Sequence, residues 1–421
     1  MKTSNEAKNL RIKETQRVNK ARRASLVKRV FELKVDESHL SNKTAERIKL
    51  AFLEAKWLLN TTLSEESSFT RDYKHRSVTV MLFNHETGKC DISERRELTV
   101  LSAQIIQALL KRQQQNIINL AKAKRKGVKI GGIRFVKEVI NLPLAQFDST
   151  HKFIGDNYVR VQKIGKMRVS GMRQLDGLEI ASASLVKKAS GLFLKILTYS
   201  PQEAIIREGE IGLDFGVKDC ISLSDGRKFS WNFNTPKELR RKQHNLARKK
   251  RGSRRYAKQK ARVKKSYERL SRRKDDAANK FVRGLGGYAL VALQDESIRG
   301  WQAGLFGKAV QHSILGRIKS KVSALQTAVV ISRWLPTTKF SPVSLRNIGI
   351  GLHEREFVDG AYRECRDVKS AKTVLCFARY RAKLTREELM SLPVEEVASI
   401  FANYPFDESK PLPVKREAAT F

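Results

Sequence analysis

Cysteine is scarce in this chain. Its 421 residues hold four, at positions 90, 220, 365 and 376, with no CxxC pair among them. So few and so scattered, they exclude a disulfide framework and point to a reducing, intracellular setting. No apolar run approaches the roughly 20 residues that a bilayer span needs, so no membrane partner is expected. The N-terminal string MKTSNEAKNLRIKETQRVNKARR is basic and lacks the apolar centre of a secretory signal. Acid is scarce as well: 43 Asp and Glu stand against 84 Lys and Arg, a net charge of +41. A compact fold carrying that charge repels itself, so a polyanionic partner is expected. The 41% of hydrophobic residues nevertheless supplies real cores, which excludes a merely basic disordered tail.

The length leaves room for two or three domains. Basic blocks fall at 8–30, 111–129 and most densely at 237–283, and the sign reverses over 386–408, where Glu387, Glu388, Glu395, Glu396 and Asp407 cluster. Periodicity predicts a strand over 26–35, a helix over 41–63 behind a Ser cap, a strand over 77–84 turning at Gly88, and a helix over 96–125. Short strands separated by turn residues over 130–200 suggest a small barrel, with the helical stretch inserted into it. From 210 three successive strands turn at Gly216–Asp219 and Asp225–Gly226. A basic helical stretch broken at Gly252 follows, then a strand over 288–296, a helix over 306–325, a strand over 327–336, an irregular segment over 337–364 and a helix from about Asp367. Three meandering strands followed by alternating strand and helix is the order of an RNase H-like fold.

Three carboxylates stand out. Asp214 lies inside the apolar strand IGLDFGV, where an unpaired charge is costly; the plain alternative is a strand-end Asp facing water. Glu296 closes LVALQDE beside Asp295, and alternation puts only one of the two on the core-facing side, although acids at strand ends are common. Asp367 opens a helix, where capping alone would explain it. Together the three could converge on two Mg²⁺ ions, because hard cations take carboxylate oxygen, and such a pair would serve phosphodiester hydrolysis.

The strings IGLDFGVKDCISLSDG, LVALQDESIRGWQ and CRDVKSAKTVL resemble the three RuvC motifs of the TnpB (insertion-sequence OrfB) family of transposon-encoded RNA-guided DNA endonucleases, itself similar to the ancestors of type V CRISPR effectors. The likeness is strong over 206–383; the N-terminal half is similar in layout and in VRVQKIGKMRVSG. The resemblance implies an α+β multidomain fold: a basic arm and first wedge strand (1–39), a helical recognition insertion (40–126), a wedge β-barrel (127–205), a RuvC-like, RNase H-like nuclease domain (206–383) and an acidic tail (384–421). Within the nuclease domain, 236–284 is the basic helical segment and 337–364 a degenerate zinc ribbon. By position, Asp214, Glu296 and Asp367 match the catalytic, metal-binding triad; Trp301, a few residues beyond QDE, favours Glu296 over Gln294 or Asp295. Mg²⁺ is the implied cofactor, with Mn²⁺ as a substitute, together with a guide RNA. The implied partners are that guide and a double-stranded DNA target, with the chain a monomer on its RNA or a dimer, in the cytoplasm of a prokaryotic or phage-infected cell.

One departure matters. Where the family enters a four-cysteine zinc ribbon, this chain reads TTKFSPVS, with Ser341 and Ser344 in place of thiolates. Ser is a poor zinc ligand, and His353 and Cys365 cannot rebuild the site alone, so no structural zinc is expected. Cys365 also replaces the first Asp of the family's usual DRD. The chain therefore reads either as a nuclease with a protein-only loop or as an RNA-guided DNA-binding protein or repressor whose cleavage is impaired. A guide-independent, structure-selective nuclease or a general basic RNA-binding protein is the third reading.

In the densest block, cations fall on every face of the expected helix, which calls for surrounding phosphate. Arg240, Arg241, Lys249, Lys250, Arg251, Arg254, Arg255, Lys264 and Lys265 are the candidate nucleic-acid contacts, and by the resemblance this stretch lines a guide–target duplex channel. Trp57, Phe52 and Tyr73 read as core aromatics more readily than as base-stacking groups. Lys43, Arg47 and Arg71 are candidates for reading a short flanking motif.

Overall fold

The computed structural model describes residues 2–64, 75–84, 86, 88–90, 92–201, 206–333, 335, 337–343, 348–351 and 353–380. The chain forms two compact units, Met1–Glu203 and Ala204–Phe421. Tyr73, Arg71, Ser344 and the acidic stretch 384–421 lie outside the described residues. No helix among the described residues is long and apolar enough to cross a membrane.

In the first unit, helix α1 (Lys2–Ala24) leads into strand β1 (Val27–Val35) and helix α2 (Asn42–Ser64). Strands β2 (Ser77–Leu82) and β3 (Ile92–Glu97) form an antiparallel hairpin, and helix α3 (Ala103–Arg125) follows. Strands β4 (Asn141–Leu144), β5 (His151–Ile154), β6 (Tyr158–Val161), β7 (Gly165–Ser170), β8 (Glu179–Lys188) and β9 (Gly191–Ser200) join β1 in a seven-stranded sheet. Its order is β4-β8-β9-β1-β7-β6-β5, and it curls into a nearly closed barrel. Alternate residues such as Leu185, Leu194 and Ile196 point into a core that α2 and α3 share through Ile48, Ala55, Leu58, Ile105 and Leu109. Phe52 belongs to this core and Trp57 packs against it, with the Arg96 guanidinium 4.6 Å from the Trp57 ring centroid. The basic arm is α1 itself, fastened at its end by Arg22 and Arg23 on Glu179.

Helix α3 begins later than the periodicity suggests. The carboxylate of Glu54, fully buried on α2, accepts hydrogen bonds from the backbone N–H groups of Thr99, Val100 and Leu101 at 2.9–3.1 Å and from the Thr99 hydroxyl. That bond set holds 99–101 out of the helix, and Ser102 caps it instead.

In the second unit, strands β10 (Glu210–Phe215), β11 (Ile221–Leu223) and β12 (Lys228–Phe229) form an antiparallel meander. Helices α4 (Lys237–Ala247) and α5 (Arg254–Gly284) follow, then strand β13 (Leu290–Gln294), which pairs parallel to β10. Short helices α6 (Ile298–Ala303), α7 (Gly307–His312) and α8 (Leu315–Val322) lead to β14 (Ala328–Ile331), parallel to β13. The sheet order is β12-β11-β10-β13-β14. Strands β15 (Glu356–Asp359) and β16 (Tyr362–Cys365) pair as a hairpin, and β16 runs directly into helix α9 (Arg366–Tyr380).

The sheet lies between two layers. Ile211, Leu213, Phe215, Val291 and Leu293 face a core built with Ala278 and Phe281 of α5 and Leu315 and Ile318 of α8. Ala292 instead meets Val374, Leu375 and Phe377 of α9. Because side chains alternate along a strand, Gly212 and Asp214 share the α9 side of β10, and Ala292 and Gln294 that of β13.

Candidate active site

Asp214 sits one residue from the end of β10, half-buried, on the side of the sheet that α9 covers. Burial pushes its carboxyl up to about 8, and the negative charges of Asp367 and Glu296 push in the same direction; Lys369 and Arg366 oppose them. Asp214 therefore lies within electrostatic reach of both Glu296, two residues beyond β13, and Asp367, in the first turn of α9. Of the two acids after β13, Glu296 is half-buried and its carboxyl is raised by that burial, against the attraction of Lys319. Asp295 is exposed and accepts a hydrogen bond from Lys319 Nζ at 2.5 Å.

Asp367 is already engaged. Its Oδ1 accepts hydrogen bonds from Arg366 Nε and an Arg366 terminal nitrogen at 3.1 and 3.0 Å, and Arg355 lies 3.9 Å from Oδ2. Among the described residues, no group of three His, Cys, Asp or Glu side chains is gathered tightly enough to hold an ion as it stands. The donor chemistry still fits a hard cation: all three groups are carboxylates, and Asp214 is destabilised by like charge that a divalent cation would relieve.

Nearby, Lys228 of β12 donates a hydrogen bond to Cys365 Sγ at 2.8 Å, the first of the causes that raise its ammonium. Ser341 is buried and its hydroxyl oxygen accepts from the Val343 N–H at 3.2 Å. His353 is exposed, 3.7 Å from Glu354. Sequence reading missed Lys369, the most deeply buried cation of this region, with 0% of its surface accessible. Its ammonium donates to the carbonyls of Thr337, Thr338 and Phe340 and lies 4.3 Å from the Phe357 ring centroid. Burial lowers it to about 7, against the attraction of Asp214. The available signal is slight: Lys369 stands between Val368 and Ser370–Ala371 on α9, with a second lysine, Lys372, three residues on.

The nine candidate nucleic-acid contacts are all exposed, on α4, on the turn that follows it and on the first half of α5. The turn passes through Gly252 at φ +85°, a left-handed conformation that favours glycine. Cations do not cover every face, however. Gln259 and Val263 are buried because α5 folds back on α4: Gln259 Nε2 donates to the Lys242 carbonyl at 3.0 Å, and Lys242 Nζ to Ser266 Oγ at 2.8 Å. Lys43 is exposed and Arg47 half-buried on α2 in the first unit.

The sheet, the carboxylates near the ends of its elements and the basic hairpin of the same unit define a class: an α+β protein with acids at the ends of elements around a five-stranded sheet. Residues 198–289 match the OrfB_IS605 family, described as "Probable transposase", so the family resemblance read from the motifs is shown over that segment, which includes Asp214 and the basic hairpin. No curated protein matches the chain. Among solved structures, a chain from the cryo-EM structure of a Cas12f1–sgRNA–target DNA complex is similar, at 9% identity and a TM-score of 0.40, covering 83% of this chain and 99% of that one.

Proposed function

We propose that this chain is an RNA-guided DNA endonuclease of a mobile element, cutting phosphodiester bonds at an RNase H-like (RuvC-like) site that holds Mg²⁺, or Mn²⁺ in its place. The observation that carries the reading is that Asp367 and Glu296, each from a different part of the second unit, both act electrostatically on Asp214, which itself lies in the segment 198–289 that matches the family of probable transposases. The strand order, with a three-strand meander followed by two parallel strands, supports the RNase H-like assignment. Asp214, Glu296 and Asp367 would be the ligands, and the ions would supply an activated water and charge stabilisation at the leaving oxygen. The three carboxylates set where the scissile phosphate can sit. The exposed cations of α4 and α5 neutralise the backbone of a guide–target duplex without reading its sequence, which is left to base pairing.

A second reading has its own observation. Arg366 and Arg355 already engage Asp367, and the three carboxylates are not gathered, so a guided binder with impaired cleavage keeps a specific physical basis.

The test is cleavage of a plasmid library with randomised flanks by protein co-expressed with RNA from its own locus. Wild type is compared with Asp214→Ala in Mg²⁺ and in EDTA. Guide-dependent cuts lost in Asp214→Ala and in EDTA support the nuclease. Guided binding without cuts selects the second reading, and the absence of both guided cutting and guided binding overturns both.

A further inference from the structure

We infer that Lys369 is a positioning residue: its ammonium fixes the relative placement of the elements that carry Glu296 and Asp367. This inference rests on the metal-nuclease reading above. An ammonium has three N–H donors, and here each meets a main-chain carbonyl, at Thr337 (3.1 Å), Thr338 and Phe340 (3.1 Å). The face of Phe357 lies beneath it, which adds a cation–π contact in a dry site. A buried charge is tolerated where its hydrogen bonds are complete, and this one is complete.

The loop that supplies those carbonyls is bound on its other side to β13. Thr337 Oγ1 donates to Gln294 Oε1 at 2.9 Å, and Gln294 Nε2 donates to the carbonyls of Ser332 and Leu335 at 3.0 and 2.9 Å. Gln294 is two residues before Glu296, and Lys369 two residues after Asp367. A continuous polar chain therefore runs from β13 through Thr337 to α9. Thr373, one turn further along α9, donates to the same Phe340 carbonyl at 3.4 Å. The Phe357 contact attaches the β15–β16 hairpin, whose second strand leads straight into Arg366 and Asp367. Three pieces of chain, α9, the 337–340 loop and the hairpin, thus meet at one nitrogen, with β13 joined to the loop through Thr337, in the segment where the sequence offers Ser341 rather than a thiolate.

Apolar packing alone could hold this loop, but it would not prescribe the register of α9 against β13; three directional bonds from one atom do. The role predicted for Lys369 is accordingly on turnover and ion affinity rather than on DNA binding.

The experiment uses the full chain, with Mn²⁺ binding followed by electron paramagnetic resonance and guided cleavage measured at saturating DNA. Lys369→Met is expected to keep the wild-type circular dichroism spectrum, weaken Mn²⁺ binding and lower turnover by about 10- to 100-fold, the range for residues that orient metal ligands, with KM for the target unchanged. Lys369→Arg is expected not to restore turnover, because a planar fork cannot serve three carbonyls that converge on one point. Thr337→Val, which leaves Lys369 in place and removes the link to Gln294, is expected to shift both readings in the same direction by a smaller factor. If Lys369→Met does not fold, Thr337→Val decides: wild-type Mn²⁺ affinity and turnover in it overturn the positioning role. The same two values unchanged in a folded Lys369→Met overturn it as well. A wild-type chain that neither binds Mn²⁺ nor cleaves overturns the metal-nuclease reading, and the positioning role with it, so the two failures are told apart by the wild type.

Discussion

A Cβ at Gly212 would fall 2.0 Å from the carbonyl oxygen of Ala371. Strand β10 and helix α9 therefore touch backbone to backbone, two residues before Asp214 and four residues after Asp367. The missing side chain lets the helix settle on the strand, and those two elements carry Asp214 and Asp367. Gly212→Ala must displace backbone rather than a flexible side-chain tip, so it is expected to cost about 1–3 kcal/mol and to abolish cleavage. Thermal unfolding together with cleavage checks this; wild-type activity in a folded Gly212→Ala would show that the contact does not set the site.

Asp214→Asn tests the crowding of negative charge from the other side. Burial, Asp367 and Glu296 all disfavour its ionised form. Replacing the carboxyl by a neutral isostere is therefore expected to raise the thermal midpoint by several degrees in ion-free buffer at neutral pH. The variant should lose both cleavage and the stabilisation that added Mg²⁺ gives the wild type. A variant less stable than wild type without ions would contradict the crowding.

Asp214 and Lys369 show how much of the site the sequence reveals. Asp214 was legible because a charge inside IGLDFGV breaks its surroundings, and the meander after it because Asp225–Gly226 marks a turn. Lys369 was not, since a Lys in a helix ordinarily faces water and its acceptors lie about 30 residues away. The β15–β16 hairpin falls within the stretch expected to be irregular, although EFVDGAYREC alternates about an Asp-Gly turn. The helix expected over 306–325 ends at His312 and restarts at Leu315, where Lys274 of α5 takes the Gln311 and Ser313 carbonyls. The late start of α3 likewise depends on Glu54, 45 residues before Thr99. Local pattern gave the elements, and side chains distant in sequence trimmed them.

His151 is expected to make the first unit acid-sensitive. It is buried, its Nε2 has no hydrogen-bond partner among the described residues, and burial lowers its imidazole from 6.5 to about 4. The fold thus keeps the neutral ring while the unfolded chain takes up a proton below about 6.5. Stability from this group is whole above that pH and is lost as pH falls towards 4, by about 3 kcal/mol in all. Denaturant unfolding between pH 7 and pH 4 should show the slope, and His151→Phe should flatten it. An unchanged slope in the variant would assign the acid sensitivity elsewhere.

Glu54 is expected to be among the most sensitive positions of the first unit. Its two carboxylate oxygens receive three backbone N–H groups and a hydroxyl. Glu54→Gln turns a donor towards those donors and leaves part of them buried without an acceptor. A loss of about 2–4 kcal/mol is expected, read as a lower denaturant midpoint. A change below about 0.5 kcal/mol, the range of ordinary surface substitutions, would mean that the loop has other partners.

The basic hairpin gives a prediction in salt rather than in temperature. Lys249, Lys250 and Arg251 are exposed on the turn between α4 and α5, and no ion pair among the described residues neutralises them. If they meet phosphate, each releases a counterion on binding, and the affinity depends on salt in proportion to the number of contacts. Replacing all three by Ala is expected to reduce the slope of log affinity against log salt by about 2–3 for a duplex. Folding should be unaffected, since none of the three side chains is buried. The loss should also be the same for matched and unrelated sequences, because phosphate contacts position a duplex without reading it. A slope equal to that of wild type would place the duplex elsewhere on the chain. A loss confined to one sequence would mean that this turn reads bases.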